Sequence, residues 1–499
     1  MNSLARANMS TNSNYQWNSF LVDKALLYVT VVFDLKRHSR AYDWWMDDMY
    51  LKNPIPLPVN SNPGMVFPYS TNGPNGFTYS IARFIEGILD YKHLIDRGLL
   101  PQDVAASREK GQHLCMQQYQ RLFTVCRIPG TEEDRQQFTP AGPDEHIIVA
   151  YKNQFWKLGV KKGGKRMSLH KIWAQLDYIY HDVTAMAEED VLPQPPVGIL
   201  TTEVRTTWGG IREQLIKGIV TVQMIETALQ NLKATPLDEI LATHSVELPK
   251  TDYKPLLLQW KLDADIEACI CVATSRMDSL VESLDYRVYH FTDYGKNFIK
   301  TCKVSPDVYI QLALQLTYFK LHNQMCSTYE SASTRRYRHG RVDCIRSSTL
   351  PALVWVQAMT SEEEEDKRRA LFASAADYQT QIMVANILGQ GMDIHILGLR
   401  ETAKLLGNTK AMQLFMDPSY EAVNHFSLTT SQIPTQTASY MGYGPVVPDG
   451  YGASYNPKDG EIVFGVSSFH TCPASSTTRF VETLRESLLA MRNLLEKKS

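Results

Sequence analysis

The run Thr328–Ser348 reads T-Y-E-S-A-S-T-R-R-Y-R-H-G-R-V-D-C-I-R-S-S, and its interpretation decides the fold. It crowds small hydroxyls, tyrosine, a glutamate and five arginines together. A buried helix could not carry that much charge without a large penalty. A plain solvated loop has no use for the hydroxyl and aromatic pattern. From the residues alone, a charged crossover between core elements is an equal alternative to a functional segment.

Upstream, Ser305–Met325 gives the strongest helix signal in the chain. Ser305 suits the N-cap, Pro306 the first turn, and Asp307 the positive end of the helix dipole. Apolar residues lie nearly all round it, which predicts a buried helix. Just before it, Lys296 and Lys300 stand one helical turn apart and Lys303 follows. Cations beside a helix N-terminus make a place for phosphate, although lysine pairs are more often simply solvated. Downstream, Ser361–Arg369 (S-E-E-E-E-D-K-R-R) reads as a solvated loop. Phe426–Gln432 and Val446–Ser454 read as strand-and-turn segments. Thr478–Lys497 reads as an amphipathic helix with Val481, Leu484, Leu488, Met491 and Leu495 on one face.

In the N-terminal part, residues 1–20 are polar and Asn/Ser-rich, the composition of a disordered tail. Leu26–Phe33 is an apolar run too short to span a bilayer and predicts a buried strand. Asn60–Phe67 predicts a turn and the start of a strand. Phe84–Lys92 and Cys115–Cys126 have helical spacing, Ile147–Leu158 looks like two short strands, and Met167–Ala187 like an amphipathic helix. Pro193–Pro196 is a linker.

The chain has 499 residues, a formal net charge of -2 and 44% hydrophobic residues. That length predicts two or more domains with ample core, and the balance is ordinary for a soluble globular protein. It gives no reason to invoke nucleic acid or a membrane surface. Eight cysteines without a C-x-x-C pair predict reduced thiols rather than a disulfide framework. Cys269 and Cys271 alone do not make a zinc site, and no metal is expected.

T-Y-E-S-A-S followed by G-R-x-D-x-I-R-S is the signature of the carnitine/choline acyltransferase family. The chain resembles that family through this run and through Tyr42–Tyr50 (Y-D-W-W-M-D-D-M-Y), Glu86–Lys92 (E-G-I-L-D-Y-K), Val197–Trp208 (V-G-I-L-T-T-E-V-R-T-T-W) and Tyr294–Asp307 (Y-G-K-N-F-I-K-T-C-K-V-S-P-D). The resemblance implies an α/β fold of two similar, chloramphenicol-acetyltransferase-like halves around a central tunnel. The halves would be residues 37–260 and 261–499, after an unmatched segment 1–36. The implied reaction moves acetyl from acetyl-CoA to choline, giving acetylcholine and coenzyme A, with no permanently bound cofactor.

Carried over residue by residue, the coenzyme A contacts implied are Lys296, Lys300, Thr301, Cys302, Lys303, Val304, Ser305, Pro306, Asp307, Ser331 and Gln432. An arginine of the acetyl-carnitine members aligns with Thr380, so that contact is missing. Choline is a quaternary ammonium without N–H donors and is best held by aromatic faces. Tyr50, Tyr329 and Tyr443, with Val342, fall on family positions lining the acceptor pocket. By residue type each tyrosine could equally be a core tyrosine with a satisfied hydroxyl. Carnitine adds a carboxylate, which needs an arginine. The family's carnitine-specific arginine position holds Ile394 here, and its T-D-T is Val342-Asp343-Cys344. Both departures favour choline, and carnitine acetyl transfer is the weaker alternative.

Acetyl transfer to a hydroxyl needs a general base. The family uses a histidine in E-H-(A/S), preceded by H-G-G-G and N-R-W-(F/Y)-D-K, and none of these motifs occurs in the chain. The resemblance lapses between Met224–Ala228 and Glu247–Pro249. That bridge holds His244 in A-T-H-S-V, a loop histidine by its neighbours and a poor substitute base. The N-terminal half is therefore expected to be truncated and the chain inactive. A catalytically dead acyl-CoA-binding protein is the alternative. The protein is expected to be a cytoplasmic monomer with no membrane span and no nucleic-acid partner.

Overall fold

A sheet in each half organises the chain. The computed structural model describes residues 40–66, 76–106, 110–123, 125–185, 195–216, 254–260, 262–435 and 437–496. The predicted strand at Leu26–Phe33 and the bridge with His244 lie outside the described residues.

Helix α1 (Arg40–Met46) runs into a wider π turn over Asp47–Leu51, closed by Lys52 N–H donating to Asp47 O at 2.8 Å. β1 (Gly64–Val66), α2 (Gly76–Asp96), β2 (Val125–Ile128), β3 (Arg135–Phe138), β4 (Glu145–Tyr151), β5 (Gln154–Lys162), β6 (Lys165–Arg166), α3 (Leu169–Ala185) and β7 (Leu256–Leu258) follow. β2 and β3 make an antiparallel ribbon. β5 is the centre of a four-stranded sheet, with β4 on one side and β6 and β7 sharing the other.

Ile147–Leu158 thus forms two strands, as expected. Lys152 and Asn153, with φ of 45° and 58°, make the tight left-handed turn that suits strand twist. Alternate residues of β5 (Trp156, Leu158, Val160) bury against Ile172, Leu176, Ile179 and Val183 of α3 and Ala82 of α2. The helix expected over Met167–Ala187 forms over Leu169–Ala185, and residues 186–187 lie outside the described residues. Cys115–Cys126 is not helical beyond a short 3-10 turn, Gln117–Arg121. A long-range bond overrides its spacing: Cys115 N–H donates to Arg335 O.

The C-terminal half holds α4 (Ala264–Ser283), β8 (Leu284–Phe291), α5 (Lys296–Thr301), α6 (Pro306–His322), β9 (Thr328–Ser333), β10 (Val342–Ile345), α7 (Leu350–Met359), α8 (Glu365–Ile387), α9 (Met392–Leu405), β11 (Leu428–Gln432), β12 (Tyr440–Gly442), β13 (Tyr451–Pro457), β14 (Ile462–Phe469) and α10 (Thr477–Leu495). Its six-stranded sheet runs β10-β9-β11-β13-β14-β8. Only the β9–β11 and β11–β13 pairs are parallel. Every residue of α6 from Val308 to Phe319 is buried, as its all-round apolar pattern predicts. Val481, Leu484, Leu488 and Met491 of α10 join the same core, and Leu495 packs at its margin.

Two local expectations need correction. Ser305 occupies the N-cap position of α6, but its hydroxyl makes no capping bond. The charge run Ser361–Arg369 is loop only at its start. α8 begins at Glu365, where Glu365 and Asp366 meet the positive end of the dipole.

Thr328–Ser348 is a hairpin, β9 against β10, and the loop between them fastens the halves together. Arg335 pairs with Asp103 at 2.6 Å and donates to Cys115 O at 3.0 Å, while Arg341 donates to Gln118 at 2.6 Å. β1 and β12 form a second tie, pairing Gly64–Val66 with Tyr440–Gly442. No single described helix is long and apolar enough to cross a membrane. The bent pair α8 and α9 reaches that length and composition only jointly.

Candidate functional site

The π turn after α1 delivers Tyr50, β10 delivers Val342, and α9 delivers Ile394. These three share one apolar cluster with Trp45, Met46 and Leu397. Asp343 fixes the arrangement, because its Oδ1 accepts from Ile394 N–H at 3.2 Å and Cys344 N–H at 2.9 Å. Gly391 is required there, since a Cβ would lie 1.9 Å from Asp343 Oδ2. Burial pushes the Tyr329 hydroxyl on β9 up to about 12, and the nearby Tyr50 adds to the rise. Tyr443 donates to Thr429 O at 2.9 Å, and Thr429 is the residue paired with Tyr329 across the sheet. The guanidinium groups of Arg127 and Arg341 each lie 5.9 Å from the Tyr50 ring centre.

Beside this neighbourhood, β9 and β11 pair only at Thr328–Leu428 and Tyr329–Thr429 and then part. Ser331 and Gln432 are exposed beyond the split. Thr430 Oγ1 bridges it, donating to Tyr329 O at 2.8 Å and accepting from Gln311 Nε2 of α6 at 2.9 Å. Asp307, in the first turn of α6, accepts from the Tyr455 hydroxyl, and Tyr455 is Gln432's partner in the sheet. Lys296 to Asp307 is thereby connected to Gln432.

Within that segment Lys296 already pairs with Asp459 at 3.1 Å. Lys300 and Lys303 are exposed, and no ion pair is recorded for either among the described residues. Lys303 holds a left-handed φ of 60°, which turns the chain between α5 and α6. Thr301 bonds back to Phe298 O at 2.6 Å, and burial pushes the Cys302 thiol up. Val304 packs against the main core. Thr380 Oγ1 donates to Ala376 O at 2.8 Å within its own helix.

Under β9 lies a buried acid, Glu330. Its Oε2 accepts from Gln379 Nε2 at 2.7 Å and from the Ser347 hydroxyl. Burial holds Glu330 well above the usual carboxylate range, and Asp307 nearby adds to the rise. Glu330 and Ser347, near opposite ends of the Thr328–Ser348 run, are thus paired with each other.

The family described as Choline/Carnitine o-acyltransferase matches residues 31–228 and 216–486. The chain belongs to the choline/carnitine O-acyltransferase family. Choline O-acetyltransferase of Drosophila melanogaster is 36% identical over 581 residues, covering 91% of this chain and 79% of that protein. Choline O-acetyltransferase of Danio rerio is 37% identical over 539 residues, covering 92% and 83%. Carnitine O-acetyltransferase of Columba livia is 31% identical over 531 residues, covering 91% and 83%. Each of these alignments is longer than the 499-residue chain itself, so these acyltransferases carry internal residues that it lacks.

Three of the described histidines have partners of their own. His290 lies 3.3 Å from Glu461, His425 lies 2.7 Å from Asp449, and the His339 ring lies tilted beside Tyr42 with centres 5.3 Å apart. Glu145-His146 is an E-H pair followed by isoleucine. His146 sits on β4, in the sheet that does not carry Tyr329 or Gln432. Three residues were given no role from the sequence: Arg127, Asp134 and Arg205, which hold the Tyr50 segment. Their charges give no periodic signal.

Proposed function

We propose that the Tyr50, Tyr329, Val342, Ile394 and Tyr443 neighbourhood is a choline site and that the Lys296–Asp307 segment, with Ser331 and Gln432, holds acetyl-CoA. In the reaction the choline oxygen attacks the thioester carbonyl. A C–O bond forms, the C–S bond breaks, and the hydroxyl proton must pass to a base while coenzyme A leaves as thiol. The observation that carries the choice of acceptor is Ile394 packed with Val342 and Tyr50. That apolar wall offers nothing to a carboxylate and suits a trimethylammonium group. Arg127 and Arg341 occupy the faces of Tyr50, so Tyr329 and Tyr443 supply the aromatic surface. Lys300 and Lys303 are the cations available to phosphate, and the parting of β9 and β11 gives the pantetheine arm a path.

On the same reading, residues 37–260 and 261–499 are the two halves of a cytoplasmic monomer. The chain as it stands does not transfer acetyl, because the histidine motif is absent and the aligned relatives carry extra internal residues. Calorimetry with coenzyme A and with choline, together with an acetylcholine assay, tests the reading. Lys300→Ala should weaken coenzyme A binding about tenfold, the scale of one charge-assisted hydrogen bond. Ile394→Arg should shift preference toward carnitine. Equal affinity of the unaltered chain for choline and carnitine overturns the acceptor assignment, and unchanged coenzyme A affinity in both Lys296→Ala and Lys300→Ala overturns the donor site. Turnover equal to that of a longer relative overturns the loss of transfer.

A second reading is an acyl-CoA-binding protein with no acceptor. Two guanidinium groups over the Tyr50 ring favour it, since they oppose a further cation. Coenzyme A binding without choline binding would select it.

A further inference from the structure

The backbone that carries Tyr50 is gripped from one side at four carbonyls. Arg127 Nη2 donates to Tyr50 O and, at 3.3 Å, to Asn53 O. Asp134 N–H donates to Leu51 O at 2.7 Å, and Arg205 N–H donates to Pro54 O at 2.9 Å. The three gripping residues come from β2, from the turn before β3, and from the start of the helix over residues 205–216.

One carboxylate joins them. Asp134 Oδ2 accepts from Arg127 Nε at 2.5 Å and from Arg205 Nε at 2.8 Å, and Oδ1 accepts from Gly130 N–H at 3.2 Å. The side chains of Asp134 and Arg205 are only 2% and 4% exposed. Close backbone contact brings Arg205 in, for a Cβ on Gly209 would lie 2.5 Å from the Gly130 backbone.

A buried ion cluster of this kind is weak evidence for stability, because desolvation offsets most of the attraction. Its geometry is the better account of it. The gripped backbone is the π turn and the residues just after it, and π turns concentrate at functional sites. Tyr50 leaves that turn to meet Val342 and Ile394.

We propose that Asp134, acting through Arg127 and Arg205, is the positioning residue for the Tyr50 wall of the acceptor site. The carboxylate fixes the Arg127 fork, and the fork fixes the carbonyls of Tyr50 and Asn53. This rests on the acceptor reading given above.

Two variants test it in the full chain. Arg127→Lys keeps a charge beside Asp134 but removes the fork. Asp134→Asn keeps the shape but removes the charge. Each is titrated with choline and with coenzyme A by calorimetry, and hydrogen exchange is followed over residues 47–55. Choline affinity should fall about tenfold or more, as expected for a displaced site group. Coenzyme A affinity should stay within about twofold, and exchange over 47–55 should rise. Unchanged choline affinity in both variants, or coenzyme A affinity falling in step with it, overturns the positioning role. If Asp134→Asn does not fold, Arg127→Lys alone decides. An unaltered chain that binds coenzyme A but no choline removes the acceptor reading and this role together. Choline binding that is present but insensitive to both variants removes this role alone.

Discussion

β13 and β14 are buried at every residue, whereas β4 alternates between half-buried and exposed along its length. The first two lie inside a six-stranded sheet, and β4 is the edge of a four-stranded one. The buried acids differ in the same direction. Asp134 is offset by two arginines, while Glu330 meets neutral donors and an acid, and Asp343 meets backbone N–H groups. The C-terminal half has enough apolar core to tolerate uncompensated acids. The N-terminal half, with a smaller core, holds its shape by charge and by its ties across to the other half.

The contrast can be broken most forcefully in the larger core. Trp355→Ala should cost about 3–5 kcal/mol, since the side chain is fully buried. Denaturant unfolding should show the loss in the later of two transitions, and a loss confined to the earlier one would reverse the ranking of the halves. Next, amides of β13 and β14 should exchange about a hundredfold more slowly than those of β4, a gap of roughly 2.8 kcal/mol. Equal protection would mean that the halves open together.

A smaller effect concerns Asp343, which burial raises from an ordinary 3.8 to about 6. The native state keeps this proton where the unfolded chain has lost it. The stabilisation is therefore complete below about pH 4 and lost as pH rises through about 6. Asp343→Asn should flatten that slope by about 1–3 kcal/mol. Glu330, also raised, leaves a remaining slope of the same sign. An unaltered slope would show that Asp343 does not titrate in this window. Smallest of all, Arg335→Ala should cost about 1 kcal/mol, because the Asp103 pair is partly solvated. That loss belongs in the earlier transition, and its appearance in the later one would argue against the loop as a tie for the N-terminal half.

Much of this was legible in the sequence wherever local pattern and tertiary environment agree. α6 is apolar all round because it is enclosed all round, and β4–β5 alternate because one face is covered. Cys115–Cys126 misled because Cys115 N–H goes to Arg335 O, far away in the chain, and the stretch ends in β2. The onset of α8 was hidden in a charge run whose acids serve the helix terminus. The tyrosines of the candidate site are indistinguishable from core tyrosines by pattern, and only the family signature marked them. The joint role of Arg127, Asp134 and Arg205 could not be read, since three separated charges become a cluster only when β2, the turn before β3 and the 205–216 helix meet.

The ribbon between β1 and β12 has a consequence for synthesis in the cell. Gly64–Val66 emerges early, and its partner Tyr440–Gly442 emerges near the end. At about 5–20 residues per second the wait is roughly 20–75 s. Throughout that interval β1 has no partner, and its open edge is available to chaperones and to other nascent chains. Soluble yield should then follow the supply of chaperones and the speed of the ribosome more closely than the melting temperature of the finished protein.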